Sequence, residues 1–208
     1  LAAHAPGGAP EIVVFGVRDP TFNAFALPGG YIGVNSGLII GSESESELAG
    51  VIAHEIGHVA QRHIARGYTQ SAQSGTMMMA TMAASLLAAL AGGGDLAAGV
   101  AAFGQAATVS QQLSFSRDAE READRAGFDM LRKAGYDPAG MAAVFGRLAN
   151  ASRLNEGAGG GAYASTHPLS LQRMSDIQNR LRMMPPARHV DSDDFWYVRA
   201  QMWVVQSG

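Results

Sequence analysis

The chain has 208 residues, 47% apolar and 16% charged, with a formal net charge of -3. That suffices for one globular domain over 1–208 with a substantial core, and the lack of any lysine- or arginine-rich run argues against a nucleic-acid partner. No cysteine is present, which excludes disulfides and thiolate metal sites.

Because the first residue is Leu1 rather than methionine, the chain is expected to be a processed or trimmed form. Residues 1–10 are small and rich in glycine and proline, and are expected to be poorly ordered. Glu11 to Val17 is a β-branched run that predicts a strand. Two short strands, Asn23 to Leu27 and Tyr31 to Val34, are expected on either side of the turn Pro28-Gly29-Gly30. Leu38 to Ile40 is a short apolar piece before the first predicted helix.

That helix has a clear start. Ser44 with Glu47 has the spacing of a capping box, and Glu43, Glu45 and Glu47 put negative charge at the positive end of the helix dipole. Leu48, Val51, Ile52, Ile56 and Val59 recur at helical spacing, so the helix should be buried and run to about Ala65, with Gly67 as its stop. Residues 76–108 then change to Met, Ala, Leu and Gly with Asp95 as the one charge. Thr76 to Leu90 falls short of the roughly 20 residues a membrane span needs. An apolar helical insertion is expected instead, two short helices joined by Gly92-Gly93-Gly94, with 77–90 as a candidate for peripheral membrane contact. Further helices are expected from Ser116 to Ala134, from Met141 to Ala149 and from Ser170 to Met183. A mobile glycine-rich loop is expected over 156–162, and Asp194 to Val205 reads as a strand or a short helix.

The chemistry centres on His54-Glu55-Ile56-Gly57-His58, the pattern H-E-x-x-H on a predicted helix. Residues four apart differ by about 40° around the axis, so both imidazoles leave one face and can reach one zinc ion. Glu55 lies about 100° round from His54. It is placed to hold the metal-bound water, take its proton and return it to the leaving amine. Unpaired histidines and a glutamate would be costly in a buried helix, which favours the metal reading over chance. The longer pattern with a third histidine is absent, because Gln61 and Ile64 occupy the positions it requires. His63 is about 140° round from His58 and reads as a surface or structural histidine. The better third ligand is Glu120, which shares a helix face with Asp124. One such carboxylate can bind zinc while the other accepts a hydrogen bond from a ligand histidine. Alone, that pair would be an ordinary acidic helix face.

These residues, with Asn23-Ala24-Phe25-Ala26-Leu27-Pro28-Gly29-Gly30, the block Val51 to His63 and Ser116-Arg117 to Asp124, resemble a known family. It is the HExxH zinc metallopeptidase family of the prenyl-protein endopeptidase, HtpX and Oma-type proteins, and within it the soluble periplasmic BepA- and LoiP-like members. The resemblance implies one zinc ion on His54, His58 and Glu120, with Asp124 behind them. It also implies that the strand Asn23, Ala24, Phe25 and Ala26 edges a cleft where extended substrate pairs by β-augmentation. Ser165-Thr166-His167-Pro168-Leu169 matches another family segment. By resemblance, His167 is either a fourth ligand that keeps the enzyme latent or a group that stabilises the transition state. Arg173 follows at a family spacing, either ordering the site or pairing with a carboxylate.

The fold implied is α+β, a mainly helical gluzincin-like domain with a small mixed sheet over the H-E-x-x-H helix. The function implied is zinc-dependent endopeptidase action on unfolded or misfolded proteins, in quality control of the bacterial periplasm or cell envelope. Two competing readings are a non-catalytic chaperone or adaptor and a closed structural zinc site that includes His167. Glu55 speaks against the first, since a purely structural site has no need of it.

Overall fold

The computed structural model describes residues 1–8, 11–153 and 160–207. It is mainly helical with one small mixed sheet, an α+β architecture. The chain falls into two compact units, Leu1–Arg62 with Glu120–Gly208, and His63–Ala119.

In the first unit, Ala2–His4 form a 3-10 turn, and Leu1, Ala2 and Ala5 pack against the core. Strands β1 (Val13–Val17), β2 (Ala24–Leu27) and β3 (Tyr31–Asn35) form a sheet in the order β1-β3-β2. β1 runs parallel to β3, and β2 runs antiparallel to it with Phe25 opposite Gly33 and Ala26 opposite Ile32. The turn between β2 and β3 needs glycine: Gly29 and Gly30 have φ of +90° and +88°, and a Cβ on Gly30 would lie 2.2 Å from the Glu11 carbonyl oxygen. Asn35 N–H donates to the Asn23 carbonyl. By the alternation of an antiparallel ladder, Ala24 and Ala26 therefore turn their backbone groups to the outer edge.

Leu38 to Ile40 lies inside a short helix, α1 (Ser36–Gly41). Helix α2 (Glu45–Ala60) starts where its cap predicts, with Ser44 Oγ accepting from Glu47 N–H. The Glu47 carboxylate reaches one residue beyond the expected box, to the Glu43 N–H, and also pairs with Arg147. The helix stops earlier than its apolar spacing suggests. Gln61 and Arg62 turn their N–H groups back on Gly57 and Val59, and Arg62 takes φ of +55°. The breaker is thus a left-handed arginine rather than Gly67, which sits inside the next helix.

Helix α4 (Gly94–Ala134) enters this unit at Glu120 and ends at Gly135, whose φ is +84°. After it come α5 (Ala139–Arg153), α6 (Gly160–Thr166), α7 (Leu171–Arg182) and α8 (Asp193–Ser207). The tail, open between strand and helix in the sequence, is helical. Most of the loop expected over 156–162 lies outside the described residues.

Small residues let these helices approach closely. A Cβ on Gly57 would lie 2.8 Å from the Ala123 carbonyl oxygen, and one on Gly127 would lie 3.1 Å from His54 N. Gly50 and Gly140 give α5 the same access to α2. Around these contacts Val51, Ile56, Phe128, Leu131, Met141, Val144, Phe145 and Ile177 form a continuous core with Ile32 and Val34 of the sheet.

The second unit holds α3 (His63–Leu90) and the first part of α4. The two helices predicted over 76–108 exist, but each is longer than predicted, because Gly67 and Gly75 keep helical backbone inside α3 and no glycine or proline interrupts 108–116. The turn falls where the glycines place it, with Gly92 at φ +84°. Gly104 faces Thr81, and Ser85 Oγ donates to the Ala97 carbonyl, so the two segments pack side by side. None of the described helices is long and apolar enough to cross a membrane.

Candidate metal centre

His54 and His58 come from successive turns of α2, Glu120 from α4, and His167 from the segment after α6. All four are buried, and their donor atoms converge. His54 Nε2 is 3.0 Å from His58 Nε2, 3.2 Å from His167 Nδ1 and 3.3 Å from Glu120 Oε2. Glu120 Oε1 is 3.3 Å from His58 Nε2 and 3.1 Å from His167 Nδ1.

These separations have a simple reading. Four ligands at about 2.0–2.1 Å from a tetrahedral ion lie about 3.3–3.4 Å from one another. The five donor pairs above, at 3.0 to 3.3 Å, come close to that spacing, and all four donors lie within 4.8 Å of one another. His54 Nδ1 lies 2.9 Å from Asp124 Oδ1, so Nδ1 carries the hydrogen and Nε2 is the atom that faces the cluster. The residues therefore fit a metal ion held by nitrogen and oxygen donors.

Without a metal the charges are unevenly held. Burial pushes the His54 pKa down, but hydrogen bonds to Asp124 and Glu120 outweigh it and raise it to about 9. Burial dominates at His58 and lowers it to about 3. Burial would raise Glu120 and Asp124, yet the surrounding histidines on the first, and Arg173 with His54 on the second, hold both below the usual carboxylate range.

Arg173, from α7, is 3% exposed and contacts both carboxylates. Its Nε and Nη2 donate to Asp124 at 2.6 and 2.7 Å, its Nη1 lies 2.7 Å from Glu120, and Nη1 also donates to the Pro168 carbonyl. Of the two roles the sequence left open for this arginine, the geometry shows the pairing with carboxylates.

Glu55 is 1% exposed, and burial raises its pKa. Its Oε1 lies 3.3 Å from His167 Nε2, so His167 faces the metal cluster with one ring nitrogen and Glu55 with the other. The Ala26 N–H, on the outer edge of β2, hydrogen-bonds to Glu55. Ala24, Phe25 and Ala26 thus belong to a strand whose outer edge meets the glutamate of the motif, and Asn23 lies just before it. His63 is buried in α3 and is not among the converging groups. Sequence reading missed Tyr163 and Phe145, whose rings line the histidines at 6.3 and 5.6 Å from His54. For Tyr163 the available signal was its position, one helical turn before His167.

The profile of peptidase family M48 matches residues 1–181. A protein of Vibrio cholerae named putative beta-barrel assembly-enhancing protease is 39% identical over 97% of this chain, and the beta-barrel assembly-enhancing protease of Escherichia coli is 34% identical over 97%. The aligned part is 41% of the length of each. The metalloprotease LoiP of Escherichia coli is 35% identical over 76% of this chain and 58% of its own length. On a match of this extent, the chain belongs to peptidase family M48, a family of metal-dependent peptidases.

Proposed function

We propose that this chain is the catalytic part of a zinc-dependent endopeptidase, with one zinc ion on His54, His58, Glu120 and His167, and Glu55 as general base. The observation that carries the proposal is the convergence of four buried donors beside a buried carboxylate that no structural site would require. Zinc, when bound, polarises the scissile carbonyl and makes water a nucleophile at neutral pH. Asp124 holds His54 by its Nδ1–H, and Arg173 holds Asp124 and Glu120 in place. Glu55, in a pocket that raises its pKa, accepts the proton of the attacking water and returns it to the leaving amine. Extended substrate adds to the outer edge of β2, where the backbone of Ala24 and Ala26 is turned outward, and its scissile bond is brought to Glu55.

In this arrangement the enzyme is latent. His167 fills the fourth ligand position and its Nε2 lies against the base, so it must swing away before water and substrate can enter. A closed four-ligand site is also what a structural zinc site in a chaperone or adaptor would have, and this supports that second reading. One set of proteins separates them: zinc-loaded wild type, Glu55→Gln and His167→Ala, assayed on an unfolded protein. A latent peptidase gains activity in His167→Ala, and adding Glu55→Gln to that variant removes the activity at unchanged zinc content. If His167→Ala is inactive and less stable, the structural reading stands.

The substrates we propose are unfolded or misfolded proteins of the cell envelope, on the strength of the relatives named for beta-barrel assembly. The same relatives support an envelope location. Met79, Leu87 and Leu90, each about two-thirds or more exposed, support peripheral membrane contact through 77–90. Co-sedimentation with liposomes tests it, and a chain that stays in the supernatant at low salt refutes it.

A further inference from the structure

The latent reading makes His167 the residue that opens or closes the site, which raises the question of what holds it there. His167 lies just beyond α6, and its N–H donates to the Tyr163 carbonyl at 2.8 Å. The Tyr163 ring lies against the His167 imidazole, with centroids 4.7 Å apart and planes inclined by 29°. Tyr163 is fully buried and is itself backed by Phe145 of α5, at 6.0 Å and 35°. A tilted stack of three rings thus runs from α5 to the fourth donor of the cluster.

The hydroxyl of Tyr163 plays no part in this. Among the described residues its Oη has no hydrogen-bond partner, although it is buried. A buried hydroxyl without a partner is a cost, so whatever keeps the side chain here comes from its ring. An imidazole turns about two side-chain torsions. The stacked ring restricts both, because rotation away from the cluster would drive the imidazole into Tyr163 or leave a void beside it.

We infer that Tyr163 is a positioning residue: its ring, wedged between Phe145 and His167, holds the imidazole in the ligating orientation and so sets how firmly the site is closed. The inference rests on the reading of His167 as a ligand.

The test uses the whole chain loaded with cobalt(II) as a spectroscopic probe, comparing wild type with Tyr163→Phe, Tyr163→Leu and His167→Ala. Two quantities are read: the visible absorption, which falls when a four-coordinate ion gains water, and the metal affinity by chelator competition. Loss of an outer-shell partner typically weakens metal binding by about 10- to 100-fold. Tyr163→Leu should lose affinity within that range, and its spectrum should move to that of His167→Ala. Tyr163→Phe should keep the wild-type spectrum and affinity, and should melt no lower. The inference is overturned if a folded Tyr163→Leu keeps the wild-type spectrum, or if Tyr163→Phe falls as far as the leucine variant. Should leucine prevent folding, Tyr163→Met takes its place under the same criteria. If His167→Ala itself leaves spectrum and affinity unchanged, the ligand reading fails, and the stack has nothing to position.

Discussion

Replacing Arg173 by methionine should expose how much of this site is held by charge. The substitution keeps most of the apolar stem and removes the guanidinium, which is 3% exposed. Three contacts to carboxylates disappear, at 2.6 and 2.7 Å to Asp124 and 2.7 Å to Glu120, with a fourth to the Pro168 carbonyl. Removing one partner of a buried ion pair costs about 3–5 kcal/mol, because the remaining charge stays buried without compensation. For a chain of this length each kcal/mol shifts the melting temperature by about 2–4 °C, so the loss should be about 6–20 °C.

The assay is scanning calorimetry in the presence of a chelator, since a bound metal would offset part of the stranded negative charge. The dependence on pH has a definite sign. Burial raises Asp124, but Arg173 and His54 hold its pKa below the unfolded value of about 3.9. A depressed carboxylate contributes stability that is complete above its unfolded pKa and is lost as the pH falls through its folded pKa. The advantage of wild type over Arg173→Met should therefore be full at pH 7 and shrink below about pH 4. A loss under about 1 kcal/mol in the metal-free protein at pH 7 would refute the reasoning, since that is the range of an exposed pair.

Three further predictions follow from the same geometry. Because His54 is raised to about 9 without metal, metal binding at pH 7 should release about one proton, and affinity should rise about tenfold per pH unit between 6 and 8. Calorimetric titration in buffers of different ionisation enthalpy reads this directly, and no proton release would contradict the charge assignment. Gly57→Ala places a Cβ 2.8 Å from the Ala123 carbonyl oxygen. It should cost about 1–3 kcal/mol by overpacking and weaken metal binding as α4 shifts, whereas an unchanged melting temperature and affinity would mean the approach is slack. Ala26→Pro removes the N–H that reaches Glu55 and blocks pairing at the outer edge of β2, a place where an edge strand tolerates proline. Peptide cleavage by the activated His167→Ala protein should fall about tenfold or more with metal content kept, and full activity would rule out substrate addition at that edge.

How much was legible in the sequence differs from element to element. His54, Glu55 and His58 could be placed on one helix because their spacing is local and Ser44 marks the start. The turns at Gly29-Gly30, Gly92 and Gly135 were equally local, since only glycine takes those φ values at little cost. Helix lengths were less legible. α2 ends at Ala60 and the chain turns at Arg62, a residue with no propensity to stop a helix, while α4 runs on through Ser116 because nothing interrupts it.

The sequence by itself therefore determined which groups carry chemistry and which short segments present them, because periodicity, caps and turn residues act within a few positions of one another. Only the tertiary structure decided that Glu120 and His167, 47 residues apart, meet within 3.1 Å, and that Arg173 bridges Glu120 and Asp124. Those meetings depend on how closely helices can approach, which Gly57, Ala123 and Gly127 set together and which no local pattern encodes. The stack of Tyr163 on His167 belongs to the same class. Its two residues are one turn apart in sequence, but Phe145 behind them comes from another helix, and it is that wall which gives the tyrosine something to press against.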